Sequence, residues 1–393
     1  MDPEKKSVFG KNLFKKINFE NIFIGVALLL GFIAVINLIM TISLNNEIRK
    51  NIEMSKEKAK PAKIGLIIIK NSKCADCFDT STVASYLKTQ NTEITGQTIF
   101  EFDSSEGKEL IAKYKIEKVP TLIVTGEIEK LSIQGLEKKE DVLLLAMPTP
   151  PYTDAATGRI EGRVTLYNLK DKSCEKCSDL TPLVNQIKVA GVNIYSEKIV
   201  EPNSDEGKQL IEKYKIDFVP ALILSEDAGL YSLIQQAWPQ VGSKESDGSY
   251  VLRLVNPPFM NLTSDKLRGL VNVIYLTDNS CTECYDVNQH RQILTNPQSF
   301  AVTLDKEESI DISDARGKEL IARYNISKVP TVIISDEINV YPSRVVLRQF
   351  FSAENDGSYV FRSVQILGTY KDLAANQIVK AQQQTPQQTR QQI

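Results

Sequence analysis

The sequence predicts an α/β protein made of three tandem units, each a βαβ-type mixed sheet with flanking helices, behind one N-terminal transmembrane helix. Three observations predict it. Residues 106–121, EGKELIAKYKIEKVPT, return as EGKQLIEKYKIDFVPA over 206–221 and as RGKELIARYNISKVPT over 316–331. Each copy follows one Cys-x-x-Cys pair, Cys74/Cys77, Cys174/Cys177 and Cys281/Cys284, and these six are all the cysteines of the chain. Ahead of the repeats, 21–46 carries no charged residue.

From the N-terminus, 1–21 is a short basic segment with Lys5, Lys6, Lys11, Lys15 and Lys16. The apolar run 22–44 is long enough to cross a bilayer as a helix, with no small-x-small cleavage site after it, and reads as an uncleaved signal-anchor. Lysines before the span are nearly matched by Arg49, Lys50, Lys56 and Lys58 after it, so loop charge alone orients it weakly. Paired cysteines over the remaining chain place the domains outside the cytoplasm and the N-terminus inside, because disulfides persist in oxidising compartments. A lysine-rich linker, 45–62, then reads as a solvated spacer.

The first domain is expected over 63–150. It opens on the apolar run at 64–69, followed by the cysteine pair, a helix to about Lys88 and a strand at 99–102. In the shared stretch Leu110, Ile111 and Tyr114 fall on one helical face. Val119-Pro120 stops that helix, since the residue before proline is pushed out of the α region, and the apolar TLIV that follows suits a strand buried on both faces. The second domain, 160–257, repeats this order from its strand at 164–169. The third, 265–375, repeats it from 271–276, with its second strand at 300–304. Asp-Gly before an apolar run at 247–252 and 356–361 signals hairpins in repeats two and three. Repeat one has LEKKEDVLLL instead of that turn and is expected to have lost most of a hairpin or a helix turn. Pro150-Pro151 and Pro257-Pro258 read as stiff spacers, and the glutamine-rich tail, 380–393, as disordered.

A Cys-x-x-Cys pair at a strand-to-helix junction suits thiolate chemistry, because a helix N-terminus favours the charged sulfur and a second thiol one turn on can resolve a mixed disulfide. With helix, Val-Pro and apolar strand following at the same separation in repeats one and two and a slightly longer one in repeat three, the chain resembles a tandem of thioredoxin-fold domains, similar to membrane-anchored protein disulfide isomerases. The resemblance implies that Cys74, Cys174 and Cys281 attack and that Cys77, Cys177 and Cys284 resolve. It also implies that Pro120, Pro220 and Pro330 are cis and, with Val119, Val219 and Val329, meet the substrate.

The chain departs from the family pattern in several places. Lys73, Ser173 and Ser280 stand where the family has tryptophan. Ala-Asp, Glu-Lys and Thr-Glu replace Gly-Pro between the cysteines, and Ile68, Asn168 and Tyr275 replace the buried acid of the first strand. Asp79, Asp179 and Asp286 recur two residues after each pair, where an acid also stabilises a helix start.

Zinc needs two more ligands per domain than a lone pair supplies, so no metal and no cofactor is expected. His290, the only histidine, reads as a surface helix residue and Trp238, the only tryptophan, as packing. Asn261-Leu-Thr263 and Asn325-Ile-Ser327 match the short glycosylation pattern. A net charge of −2 gives no reason to expect nucleic acid. The implied partners are protein thiols and disulfides, and membrane lipid through one helix. Two functions remain open: thiol–disulfide exchange through three sites, or a redox-inert scaffold of thioredoxin-like modules stapled by structural disulfides.

Overall fold

The computed structural model describes residues 19–380, without the side chains of 19–23 and 57–59. Most of the basic segment expected at 1–21 and nearly all of the expected glutamine-rich tail lie outside the described residues. The described residues divide into two compact units, one of 19–73 with 79–148, the other of 74–78 with 149–380.

The first unit begins with α1 (Phe19–Ala59), a single 41-residue helix. At 1.5 Å per residue it is about 60 Å long, and its stretch from Ile24 to Lys56 is long and apolar enough to cross a membrane, with side chains exposed throughout. The expected spacer at 45–62 is therefore mostly helix. Its Glu, Lys, Ile, Met and Ala are adequate helix formers, and with nucleation already made upstream the helix runs on until Pro61 forbids it.

After α1 come β1 (Ala62–Lys70), α2 (Ser81–Thr89), β2 (Thr92–Glu101), α3 (Ser105–Tyr114), β3 (Lys118–Val119), β4 (Thr121–Gly126), β5 (Glu137–Lys139) and β6 (Val142–Leu144). They form a five-stranded sheet in the order β2-β1-β4-β6-β5. β1 runs parallel to β2, Ile69 opposite Phe100, and antiparallel to β4, Ile69 opposite Thr121. Ile69, Tyr114, Val119, Ile123 and Leu144 close a buried core on one face. Burying each such aliphatic side chain contributes roughly 1.5–3 kcal/mol against the entropy of ordering the chain.

The second unit holds two further copies. The hairpin β7 (Tyr152–Asp154) and β8 (Ile160–Glu161) precedes β9 (Val164–Leu169), α4 (Thr181–Val189), β10 (Ile194–Val200), α5 (Asp205–Tyr214), β11 (Phe218–Val219), β12 (Ala221–Leu224), α6 (Ser232–Val241), β13 (Gly242–Lys244), β14 (Tyr250–Leu252), β15 (Phe259–Asn261) and β16 (Lys266–Arg268). Then follow β17 (Val271–Thr277), α7 (Gln289–Thr295), β18 (Leu304–Asp311), α8 (Ala315–Tyr324), β19 (Lys328–Val329), β20 (Thr331–Ile334), α9 (Arg344–Leu347), β21 (Phe351–Ala353), β22 (Tyr359–Phe361), β23 (Tyr370–Asp372) and β24 (Gln377–Val379). The two large sheets run β10-β9-β12-β14-β13 and β18-β17-β20-β22-β21. Three similar mixed sheets with flanking helices fit three tandem thioredoxin-like domains.

One residue of the repeat explains its own recurrence. A Cβ on Gly107, Gly207 or Gly317 would stand 2.0–2.1 Å from the carbonyl oxygen of Glu101, Glu201 or Asp311. Only glycine lets the first turn of α3, α5 and α8 pack on the end of the preceding strand. Ser104 and Ser204 cap two of these helices, accepting from the Gly107 and Gly207 amides at 3.0 Å.

Several sequence expectations need correction. Repeat one does have its hairpin: β5 pairs β6 antiparallel, and Glu140 takes the positive φ that glycine takes elsewhere. What repeat one lacks is a helix turn: its short 3-10 turn at Ile128–Lys130 has counterparts at Glu226–Leu230 and Asp336–Val340, but the chain then goes on to the hairpin without the helix that α6 and α9 supply in the other repeats. Pro257-Pro258 is not a free spacer, because β15 directly beyond it pairs with β11 and with β16. Likewise β23 pairs with β19 and with β24. The second strand of repeat three is LDKEESID at 304–311, displaced from the expected 300–304. It is an exposed edge whose polar sequence gives no alternation to read.

Candidate functional site

All three cysteine pairs are disulfide-bonded within themselves, and no described cysteine is free. Each pair lies in a turn after the second strand of its sheet order, β1, β9 or β17. In repeats two and three that turn is built alike: Cys174 and Cys281 donate to the Asp171 and Asp278 carbonyls, and Cys177 and Cys284 donate back to Cys174 and Cys281.

The thiols do not sit on a helix N-terminus as the sequence implied. α2, α4 and α7 begin at Ser81, Thr181 and Gln289, with several residues of turn between them and the second cysteine. That turn holds the recurring acids. Asp79 accepts from the Ser81 amide and hydroxyl at 2.8 and 2.6 Å, Asp179 from the Thr181 hydroxyl at 2.8 Å, and Asp286 from the Asn288 amide at 2.9 Å. These bonds hold Asp79 and Asp179 below the usual carboxylate range. The three acids thus serve the helix starts.

The prolines expected to be cis are cis, at Val119-Pro120, Val219-Pro220 and Val329-Pro330, and so are Pro150-Pro151 and Pro257-Pro258. In repeat three Cys284 Sγ lies 4.0 Å from the Val329 carbonyl oxygen, which brings the third pair to the Val329-Pro330 bond. The residue after each pair is tied by its amide, Phe78 to Pro151, Ser178 to Pro258 and Tyr285 to Thr369, at 2.8–2.9 Å.

What surrounds the sulfurs differs at each site. At the first, the Arg163 guanidinium binds the Asp76 carboxylate through Nε at 3.0 Å and through Nη2, which also lies 3.9 Å from Cys74 Sγ. Asn193 adds a bond to Asp76 at 3.3 Å, and the guanidinium lies 4.6 Å from the Tyr195 ring centre. The Arg163 bond holds Asp76 below the usual carboxylate range although burial opposes it. Cys74 is buried and Cys77 half-buried, its Sγ 4.0 Å from Thr153 Oγ1.

At the second site both cysteines are half-buried, and Lys176, between them, pairs with Asp305. Asn168, at the family's acid position, is buried with no partner for its Oδ1 among the described residues. At the third site Cys281 is buried, and the Asp278 carboxylate below it pairs with Lys371 at 2.6 Å. Burial works against ionising Asp278, but Lys371 and Ser280 outweigh it and hold the carboxyl below its usual range. Tyr285 donates its hydroxyl to the Pro330 carbonyl at 2.8 Å and meets His290 Nε2 at 3.1 Å.

His290 is consequently not a surface residue. It is 3 % exposed, packed edge-on to Phe361 at 4.5 Å, and burial pushes its imidazole down to about 4. Trp238 is packed in the core of repeat two against Tyr250. Among the described residues no cluster of three or more His, Cys, Asp or Glu could hold a metal ion. Sequence reasoning missed Arg163, Asp278 and Lys371: Asp278 had a signal in its counterpart Asp171, three residues before the second pair, whereas Arg163 and Lys371 act through pairings with residues far along the chain. Tyr285 had a signal, its place directly after the third pair.

No protein-family model and no curated protein matches the chain. Among solved structures it is similar to the N-terminal domain of alkylhydroperoxide reductase AhpF from Enterococcus faecalis, at 16 % identity over 44 % of this chain and 81 % of that one, TM-score 0.14. It is similar to human ERp44 at 11 % identity over 79 % of this chain and 94 % of that one, TM-score 0.14. It is also similar to a protein disulfide oxidoreductase from Aeropyrum pernix, at 18 % identity over 45 % of this chain and 81 % of that one, TM-score 0.13.

Proposed function

We propose that the chain exchanges disulfides with protein thiols through its three Cys-x-x-Cys pairs. The observation that carries this is the threefold recurrence of an internally bonded pair on one kind of turn, leading from the sheet into a helix. A reduced pair attacks a substrate disulfide through one thiolate, forms a mixed disulfide and releases the first substrate thiol. Its second thiolate then displaces the other substrate sulfur, so the substrate gains two thiols and the pair becomes a disulfide. Run backwards, the same steps oxidise a substrate dithiol. Val119, Val219 and Val329, with Pro120, Pro220 and Pro330, would line the path of the substrate, as in the family the sequence resembles.

The exposure pattern ranks the sites. Only the second pair leaves both cysteines half-buried, whereas Cys74 and Cys281 are buried. That burial also favours a second reading, in which pairs one and three are structural staples. Mass-spectrometric thiol counting during reduction by a mild dithiol separates the two. Exchange at the second pair within the folded chain, followed by the others, supports the proposal. Three pairs that stay oxidised until unfolding support the scaffold.

α1 would anchor the chain in a bilayer as a single pass, with the N-terminus cytoplasmic and three domains, near 63–150, 160–268 and 270–379, outside. An impermeant thiol reagent applied to intact cells should label a cysteine introduced at Gln383; protection there until lysis reverses the topology.

A further inference from the structure

Of the three turns, the first alone carries an arginine against its sulfur. Asp76, between the cysteines, holds a carboxylate oxygen 3.7 Å from Cys74 Sγ. Unopposed, that charge disfavours a thiolate beside it and slows any attack by Cys74. Arg163, placed just before β9, takes both Asp76 oxygens and leaves Nη2 3.9 Å from the same sulfur. The guanidinium is not free to swing: the Tyr195 ring lies under it at 4.6 Å, and Asn193 fixes the carboxylate it grips. The other two turns spend their charges elsewhere, Lys176 on Asp305 and Glu283 on Lys380.

We propose that Arg163 is the residue that makes Cys74 reactive: in the reduced chain it neutralises Asp76 and stabilises the Cys74 thiolate. This rests on the thiol–disulfide reading above and adds a site-specific prediction to it. The planar fork suits the role, since one edge binds a carboxylate while a further N–H remains for a second anion. A lysine would supply the charge without the fork.

The test is alkylation of the fully reduced, full-length chain by iodoacetamide over a pH series, read at Cys74, Cys174 and Cys281 by mass spectrometry. Arg163→Met is expected to raise the pH midpoint for Cys74 by about one pH unit or more, and Arg163→Lys to recover part of that shift. Cys174 and Cys281 should keep their midpoints, which shows in the same sample that the rest of the chain is intact. Asp76→Asn, which leaves Arg163 in place, should lower the Cys74 midpoint and so checks the idea without disturbing the arginine. A Cys74 midpoint indifferent to Arg163, or one that rises in Asp76→Asn, overturns the proposal. Alkylation needs no turnover, so a chain that exchanges no protein disulfide yet shows these shifts would sink the functional reading alone.

Discussion

Opposite Val219 in repeat two stands Met260; opposite Val329 in repeat three stands Lys371. After the second pair comes Ser178, whose hydroxyl donates to the Asn256 carbonyl at 2.6 Å, and after the third comes Tyr285, whose hydroxyl donates to Pro330. Near the second pair the Asp171 carboxylate bonds its neighbour Ser173, while near the third the Asp278 carboxylate is paired with Lys371. The backbone turn is the same in both repeats. The third is braced by a polar chain, His290 to Tyr285 to Pro330, and by a nearly buried ion pair, whereas in the second Cys174 is half-buried where Cys281 is buried. Duplicated scaffolds can therefore carry different surroundings for their pairs without any change in topology, through residues within the turn, Ser178 against Tyr285, and opposite it, Met260 against Lys371.

The sharpest way to break this comparison is acid. His290 titrates near 4 when folded and near its ordinary 6.5 when unfolded, so the folded state resists the proton that the unfolded chain takes up. A depressed folded value contributes stability that is full above about 6.5 and falls away as pH drops towards 4. The size is roughly 3 kcal/mol. Hydrogen exchange of the β17 amides should lose protection over that window, with no matching loss in β9, since repeat two has no histidine. His290→Gln, which keeps a donor for Tyr285, should flatten the dependence. Equal acid sensitivity of β9 and β17 would remove the brace as its cause.

These features mark where sequence reading stops. The repeat, the cysteine pairs, the prolines and the apolar central strands were legible because each is a local pattern. The polar edge strands β2 and β18 were misjudged in extent, because only one side of each is packed and their residues, such as LDKEESID, do not alternate. The hairpin of repeat one was missed because Glu140, a residue that rarely adopts positive φ, does so there. His290 was misplaced because burial of a neutral imidazole depends on Tyr285 and Phe361, the latter far along the chain.

A smaller effect tests the ion pair. Asp278 is 5 % exposed in its side chain and Lys371 19 %, so Lys371→Met leaves a nearly buried carboxylate with Ser280 as its remaining side-chain partner. Complete burial would make such a loss cost 3–5 kcal/mol; partial exposure of the lysine reduces it to about 2 kcal/mol. Urea unfolding followed by proteolysis within repeat three should show that drop, and Met260→Ala in repeat two, which breaks no ion pair, should not reproduce its dependence on salt. Stability unchanged by Lys371→Met would mean that the pair contributes nothing net.

The smallest effect compares the two units through a contact that both contain. The tyrosine of the repeated stretch reaches the hairpin turn in each copy, Tyr214 to Asp247 at 2.9 Å and Ser249 at 3.1 Å, but Tyr114 to Asp141 only at 3.4 Å. Lys213 pairs with the same Asp247 at 2.7 Å, and that bond, with burial opposing it, pulls the carboxyl far below its usual range. Tyr214 thus belongs to a network of four groups, whereas the Tyr114 hydroxyl reaches its hairpin turn by one long bond. Tyr214→Phe should destabilise repeat two by about 1 kcal/mol, since it removes the shared donor and acceptor at the turn. Tyr114→Phe should cost repeat one a few tenths of that, about 0.3 kcal/mol. Denaturant unfolding of the full-length chain, followed by exchange in β14 and β6, reads both. An equal loss in the two repeats would show that the tyrosine acts through its ring in the core and that its hydroxyl bonds are incidental.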